Sequence, residues 1–131
     1  MEIDKRFSCI FDTSALITYL ANESDANRVA LLKEKAALPF MALSELYYLI
    51  WRRLGKAGAD NTYGLVKSWD LPILYPNERI ILTAGRFKDV YKLGIADSYI
   101  AAFSSVYNVP LVSKDPDYEE LIVELELIKL K

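Results

Sequence analysis

The sequence predicts an α/β fold of three layers, in which a central, mostly parallel sheet of four to five strands is flanked by helices. Short apolar runs of strand length alternate along the 131 residues with longer amphipathic stretches of helical period. No linker rich in Gly, Ser or Pro interrupts the chain, and 53% of its residues are hydrophobic. We therefore expect a single domain over residues 1–131.

The first third of the chain alternates strand and helix. Residues 7–11 are an apolar run that ends at Asp12, which is typical of a buried strand. A short helix is expected over residues 13–20, and the spacing of apolar residues predicts a second helix over residues 25–37. Residues 38–41 are again a short apolar run.

The middle of the chain is mostly helical. A helix is expected over residues 44–54, where Gly55 would end it, and another over residues 58–70. Residues 71–75 then have the composition of a third strand. Proline cannot donate to a strand ladder, so Pro72 should lie at the start of this strand or on a sheet edge.

The last third contains two predicted helices and two predicted strands. Residues 77–93 have a long amphipathic pattern that Gly94 would end, and residues 95–103 form a helix rich in small side chains. Residues 109–112 are predicted to form a fourth strand. The alternation of apolar and charged residues over 122–130 predicts a further short strand at a sheet edge.

The composition excludes several kinds of catalytic site. The chain has no histidine, which excludes Ser-His-Asp and Cys-His catalysis and imidazole-bound zinc. Its single cysteine, Cys9, allows no internal disulfide and is expected in the core. Any chemistry must use carboxylates, hydroxyls, lysines, arginines or a metal held by oxygen ligands, a ligand set that suits Mg²⁺ or Mn²⁺.

The charge balance leaves a nucleic-acid partner open. A net charge of −2 argues against binding by bulk electrostatics. If four of the 18 acids occupied a metal site, however, 16 basic groups would face 14 acidic ones on the rest of the surface. No stretch has the pattern of a signal sequence or the about 18 apolar residues of a membrane span, so a cytoplasmic location is expected.

Four acids occur where predicted strands end or helices begin. Asp12 and Asp115 follow strands, while Glu45 and Asp97 fall in the first turns of helices. The carboxyl ends of parallel strands meet at one edge of a sheet, so these side chains could enter one crevice. Taken singly, each acid also has a structural explanation. Helix capping is the more frequent role for an Asp placed like Asp12 or Asp97, the helix dipole explains Glu45 equally well, and turn formation explains Asp115. Clustered carboxylates repel one another, so their convergence would indicate a site for one or two divalent cations.

The helix that carries Glu45 is apolar over most of its circumference and includes Tyr47, Tyr48 and Trp51. Two interpretations are open: a surface that docks a second copy or another partner, or a buried central helix. Among such neighbours the carboxylate of Glu45 is costly unless it is paired or bound to a cation.

Four short motifs follow one another over about a hundred residues. They are Phe-Asp-Thr-Ser at 11–14, Ser-Glu-Leu at 44–46, Ile-Ala-Asp-Ser-Tyr-Ile-Ala-Ala at 95–102 and Leu-Val-Ser-Lys-Asp-Pro-Asp-Tyr at 111–118. This combination resembles the PIN-domain family, and in particular the VapC-type toxins of prokaryotic toxin–antitoxin pairs. The resemblance covers nearly the whole chain and implies a PIN-like fold.

The resemblance also implies an activity, namely metal-dependent hydrolysis of RNA phosphodiester bonds by a toxin that has a cognate antitoxin. The acids that would bind Mg²⁺ or Mn²⁺ and carry catalysis are Asp12, Glu45, Asp97 and Asp115. Residues that would support them are Ser14, Ser113 and Asp117. Basic residues that either contact the RNA backbone or form solvated faces are Arg52, Arg53, Lys56, Arg86 and Lys88.

The chain departs from the family pattern at two positions. Some relatives have a further acid where Tyr99 stands, which leaves one or two metal ions as alternatives. The last motif usually ends in Phe, where this chain has Tyr118, and we expect that exchange to be harmless.

A different class of function stays open, namely a catalytically weak PIN-like module that binds or assembles protein partners. The aromatic helix favours this alternative, and it also favours a homodimer of the ribonuclease. An aspartyl phosphotransferase resembling the haloacid dehalogenases is disfavoured, because that chemistry needs an acid at the position of Ser14.

Overall fold

The computed structural model describes residues 7–131 and contains a five-stranded sheet flanked by helices. The strands are β1 (Cys9–Phe11), β2 (Ala36–Pro39), β3 (Ile73–Leu74), β4 (Leu111–Ser113) and β5 (Leu127–Lys129). Every neighbouring pair is parallel, and the order across the sheet is β3-β2-β1-β4-β5. The predicted fold class is confirmed.

The centre of the sheet is its most apolar part, as expected for strands covered on both faces. All residues of β1, β2 and β4 are buried, whereas Ile73 on edge strand β3 and the residues of β5 are not. Cys9 is 2% exposed, which confirms its place in the core. Pro72 directly precedes β3, which lies on a sheet edge as predicted.

The strand order reverses at β1. From β1 the sheet continues through β2 and β3 on one side and through β4 and β5 on the other. A crevice forms beyond the carboxyl ends of the strands at such a reversal, because the connections leave toward opposite sides. Any residue that directly follows β1 or β4 therefore lies beside this crevice.

Within residues 7–131, five α-helices and one 3₁₀ helix connect the strands. The α-helices are α1 (Thr13–Leu20), α2 (Ala26–Lys33), α3 (Phe40–Ser68), α4 (Glu78–Tyr91) and α5 (Ile95–Tyr107). The 3₁₀ helix spans Pro116–Leu121, and α4 and α5 pack against each other. No helix within residues 7–131 is both long enough and apolar enough to cross a membrane.

Two boundaries in the first half differ from the prediction. The second helix ends at Lys33, and Ala36 and Ala37 belong to β2 instead of the helix. Alanine favours helices, but here both residues are buried and pair with β1, so tertiary packing outweighs the local preference. Helix α3 begins at Phe40 immediately after Pro39, so Glu45 lies in its second turn and not in its first.

Helix α3 breaks where the sequence predicts an end. Gly55 has φ +73° and ψ −172°, which is not helical, and the helix resumes beyond it. Helix α4 ends earlier than predicted, because Lys92 adopts a left-handed conformation at its C-terminus. Gly94 instead occupies the N-cap of α5, which continues to Tyr107, past the predicted end at residue 103.

The predicted strand over residues 122–130 is correct only in its second half. β5 covers Leu127–Lys129, whereas Ile122 and Val123 lie in a turn and are 69% and 82% exposed. Apolar side chains that remain in water gain no burial energy, so alternation alone did not define a strand there.

Candidate metal centre

The four acids singled out from the sequence line one cavity. Asp12, Glu45, Asp97 and Asp115 surround a space of about 160 Å³ that Thr13 and Ser14 also border. Asp12 directly follows β1 and Asp115 lies two residues beyond β4, while α3 and α5 contribute the other two acids. The cavity therefore lies at the crevice that the reversal of strand order creates.

Asp12 is 4% exposed and accepts three hydrogen bonds. Its Oδ1 accepts from the backbone N–H of Ala15 at 2.9 Å and from the hydroxyl of Ser14 at 2.6 Å. Its Oδ2 accepts from the hydroxyl of Ser113 at 2.5 Å. Asp12 thus does cap α1, and the same carboxylate borders the cavity. A carboxylate offers about four lone-pair sites, so three hydrogen bonds leave one for a cation.

Burial of Asp12 changes its acidity. Removal from water raises the pKa of its carboxyl to about 6, because the charged form loses hydration. The hydrogen bonds from Ser113, Ser14 and Ala15 oppose this rise, and the charge of Asp115 adds to it. A cation in the cavity would favour the ionised form.

Ser14 and Ser113 join the loop after β4 to the start of α1. The backbone N–H of Lys114 donates to Oγ of Ser14 at 2.8 Å, and that of Asp115 donates to Oγ of Ser113 at 2.9 Å. Each hydroxyl has one proton, and both protons are directed at Asp12. The 3.3 Å between the two hydroxyl oxygens is therefore a contact that neither proton bridges.

Glu45 reaches the cavity from the second turn of α3. The hydroxyl of Thr13 donates to Oε1 of Glu45 at 2.5 Å, and Thr13 is only 5% exposed. Because Glu45 is not in the first turn, the helix-dipole explanation for its position loses force. Thr13 was not among the predicted site residues, although it follows Asp12 in the first motif.

Asp97 lies in the first turn of α5, but it does not cap that helix. Gly94 is the N-cap residue and no side chain makes a cap hydrogen bond there. Oδ1 of Asp97 instead accepts from the hydroxyl of Tyr118 at 3.1 Å. Burial raises the pKa of the Asp97 carboxyl to about 6, and the charges of Asp115 and Glu45 act in the same direction.

Asp115 caps the 3₁₀ helix, since its Oδ1 accepts from the backbone N–H of Asp117 at 2.9 Å. Asp97, Asp115 and Asp117 each have a carboxylate oxygen within 4.8 Å of the other two. Asp117 is exposed, so it lies at the rim of the cluster. Among the described residues that line the cavity, none is basic. The clustered carboxylates supply the oxygen donors that hard divalent cations prefer.

The five predicted basic residues do not line the acidic cavity. Three of them pair with other groups of the chain. Lys56 forms an ion pair with Asp60 at 2.6 Å, and the guanidinium of Arg86 donates two hydrogen bonds to Glu124. The ammonium of Lys88 donates to a backbone carbonyl at 3.2 Å.

Of the five basic residues, Arg53 lines a cavity that adjoins the acidic one. It lines a separate cavity of about 370 Å³ between α1 and α3. Ile17 and Leu49 border both that cavity and the acidic one, so the two spaces adjoin. Arg52 is exposed, with its guanidinium 5.4 Å from the ring centre of Tyr48.

The fold has close counterparts among solved structures. The fold matches a chain of VapBC2 from Rickettsia felis, which was solved with a DNA fragment from the VapBC2 promoter. The TM-score is 0.77 and the identity 18%, over 94% of this chain and 98% of the other. VapBC-1 from nontypeable Haemophilus influenzae matches with a TM-score of 0.73 and 22% identity, over 92% of this chain and 96% of the other. VapC20 of Mycobacterium tuberculosis, a toxin that cleaves the sarcin–ricin loop, matches with a TM-score of 0.69 and 16% identity, over 86% and 94%.

At these identities the structures show a shared fold. No curated protein sequence matches the chain significantly. The family model described as "PIN domain" matches residues 9–123, which include every acid of the cavity. The match covers most of the chain and agrees with the parallel sheet and the position of the acids, and the chain therefore belongs to the PIN-domain family.

Proposed function

We propose that this chain is a metal-dependent ribonuclease and the toxin of a VapBC-type toxin–antitoxin pair. PIN domains and VapC toxins are nucleases in general. The observation that carries the proposal is the convergence of Asp12, Glu45, Asp97 and Asp115 on one cavity at the strand reversal.

The acids suit a divalent cation, which PIN domains typically bind. Asp12, Asp97 and Asp115 would hold Mg²⁺ or Mn²⁺, with Glu45 beside a second ion or a bound water. When bound, such an ion polarises the phosphate, lowers the pKa of water and stabilises the leaving oxygen. Only the ionised form of each carboxylate would bind the cation, so protons and the metal ion would compete for the same oxygens.

The other residues of the cavity keep the acids in place. The hydroxyls of Ser14 and Ser113 hold both oxygens of Asp12, and Thr13 holds Glu45. Asp117 at the rim would contribute an additional carboxylate. These hydrogen bonds restrict rotation of the carboxylates, which lowers the cost of assembling a binding site.

RNA is the substrate that we propose, because a VapC toxin of the same fold cleaves the sarcin–ricin loop. Arg53 is the basic residue best placed to contact the RNA backbone, since its cavity adjoins the acidic one. Arg52 is exposed on the same helix, whereas Lys56, Arg86 and Lys88 would first have to leave their present partners.

A cognate antitoxin is the protein partner that we propose, since several similar folds were solved as VapBC complexes. A homodimer is the assembly that the exposed aromatic side chains of α3 favour. Tyr48 and Trp51 are 48% and 45% exposed, so the interpretation of this helix as a buried central one does not hold at these two positions. The same surface supports the alternative, a catalytically weak module that binds protein partners.

Replacement of Asp12 by Asn tests the proposed activity. Asn keeps the shape of the side chain and the capping oxygen but removes the charge. The Asp12→Asn variant should therefore cleave RNA with Mg²⁺ at least about 100-fold more slowly than the wild type. Cleavage of a fluorescent RNA by purified protein would be measured with Mg²⁺ and with EDTA.

Asp89→Asn provides the matched control, because Asp89 is exposed on α4 and does not line the cavity. We expect the Asp89 variant to cleave at the wild-type rate. Cleavage that persists in Asp12→Asn, or that does not depend on the metal, would refute catalysis at this metal centre. A wild-type protein that does not cleave RNA would refute the ribonuclease and leave the binding module.

A further inference from the structure

Tyr118 is a buried tyrosine whose hydroxyl reaches the acidic cavity. Its side chain is 0% exposed and belongs to the hydrophobic core. The hydroxyl donates to Oδ1 of Asp97 at 3.1 Å, which joins the 3₁₀ helix to α5. A buried phenol needs such a partner, and here the partner is a carboxylate of the candidate metal centre.

Each acid of the cavity has its own hydrogen-bond donor. Asp12 accepts from one backbone N–H and two serine hydroxyls, and Glu45 accepts from the hydroxyl of Thr13. Oδ1 of Asp115 accepts from the backbone N–H two residues further along the chain. Within the described residues, the donor for Asp97 is Tyr118.

Asp97 has little else to orient its side chain. The N-cap position of α5 is Gly94, so Asp97 is not tied to the first turn by capping. The oxygens of Asp115 and Asp117 lie within 4.8 Å and repel its charge. Without a donor, the carboxylate would turn toward water and away from its acidic neighbours.

We propose that Tyr118 is a positioning residue for metal binding: its hydroxyl holds Oδ1 of Asp97 so that Oδ2 ligates the cation. This inference rests on the proposed metal centre. The hydroxyl orients one carboxylate of the cavity and is not itself a ligand, so it adjusts the affinity of a site that other residues create. Partners of metal ligands typically change metal affinity by about 10- to 100-fold, and we expect the lower end of that range.

Tyr118→Phe tests the proposal, since it removes one oxygen atom and keeps the ring. Calorimetric titration with Mn²⁺ at a pH near 8, where Asp97 is ionised in both proteins, should give a dissociation constant about 10-fold weaker than that of the wild type. The shift in melting temperature that Mn²⁺ causes is a second measurement. It compares each protein with its own metal-free form, so a general loss of stability cancels.

Tyr91→Phe is the matched control. The hydroxyl of Tyr91 also donates to a carboxylate, Oε2 of Glu124 at 2.8 Å, but neither residue lines the acidic cavity. This variant should bind Mn²⁺ within about twofold of the wild type. A double-mutant cycle adds Asp97→Asn: if the hydroxyl acts through Asp97, Tyr118→Phe should have no further effect on affinity in that background.

The outcomes separate the two proposals. A wild-type protein that does not bind Mn²⁺ would overturn the metal centre and, with it, the role of Tyr118. Tight binding by the wild type and equal binding by Tyr118→Phe would overturn only the role of Tyr118. If Tyr118→Phe weakens Mn²⁺ binding as much in the Asp97→Asn background as in the wild type, the hydroxyl does not act through Asp97 and the proposed role is overturned.

Discussion

Asp12 combines two roles that are usually considered as alternatives. Its Oδ1 caps α1 through the N–H of Ala15, and the carboxylate also borders the cavity with Asp97. Both carboxyls have pKa values raised to about 6, mainly because burial removes water from the charged form. The protein therefore contains two acids that titrate near neutral pH.

The titration of Asp12 and Asp97 predicts an unusual pH dependence of stability in EDTA. The folded protein binds these protons more tightly than the unfolded chain, in which the pKa of an Asp carboxyl is near its ordinary value of 3.8. Their contribution is full below that value and is lost as the pH rises through about 6. Lowering the pH from about 7 to about 5 should therefore stabilise the metal-free protein, with about 1 kcal/mol from Asp12. Urea unfolding at each pH measures this.

Asp12→Asn should reduce that pH dependence to the part that Asp97 contributes, because the amide does not titrate. The carboxyls in exposed ion pairs shift their pKa in the opposite direction. The pKa values of Glu23 and Asp60 are lowered, because hydrogen bonds from Lys114 and Lys56 outweigh the opposite effect of burial on these carboxyls. Their effect on stability appears only at more acidic pH. Metal-free stability that rises from pH about 5 to about 7 would contradict the assigned pKa values.

At the scale of single elements, α3 is the least regular helix. Gly55 interrupts it with φ +73°, a conformation that side chains with a Cβ rarely adopt. The break changes the direction of the chain between two segments that are both anchored, the first by Leu46 and the second by Ala59 and Val66. No atom lies within 4 Å of a Cβ built at this position, so space does not exclude a side chain. The position requires glycine because of its backbone angles.

Gly55→Ala should destabilise the protein by about 1–3 kcal/mol, because the backbone would be strained in the folded state. Chemical denaturation measured by circular dichroism would give the free energy of unfolding.

Gly64→Ala is the matched control in the same helix. Gly64 has no positive φ, and a Cβ at this position would have no atom within 4 Å, so alanine should stabilise by about 0.5–1 kcal/mol. Equal effects of both substitutions would contradict a role for the left-handed angle of Gly55.

At the scale of the whole molecule, strand order and surface chemistry distinguish two regions, an acidic cavity and an apolar surface of α3. The reversal at β1 brings the acids together at one edge of the sheet. On α3, Tyr48, Trp51 and Leu54 are 48%, 45% and 67% exposed, so an apolar patch faces solvent. Apolar patches of this kind are typical of protein interfaces.

We predict that the protein is a homodimer at micromolar concentration and that Trp51→Glu dissociates it. A charge in the patch would lose its water on association, which costs more than the contact gains. Light scattering should give about twice the chain mass of 14.9 kDa for the wild type and a single chain mass for Trp51→Glu.

Leu31→Glu is the control, because Leu31 is 79% exposed but lies on α2. This variant should remain a dimer. A wild type that is strictly monomeric, or a Trp51→Glu variant that stays dimeric, would rule out this surface as the interface between two copies.

Local pattern predicted most of the architecture. Buried strands such as residues 9–11 are recognisable because every side chain in the run is apolar, and Asp12 and Asp115 follow strands that the pattern reveals. Parallel strands end at a common edge, so these two acids could be expected to meet. The boundary at Ala36 could not be found in this way, because pairing with β1 decided it.

The sequence by itself determined the fold class, the chemistry available to a histidine-free site and the order of the four acids. These depend on residue type and on spacing along the chain. Only the tertiary structure decided that Tyr118 donates to Asp97, that Thr13 donates to Glu45 and that Arg86 pairs with Glu124. Those pairs are 21, 32 and 38 residues apart. No local periodicity encodes such contacts, because packing of the helices on the sheet brings them together.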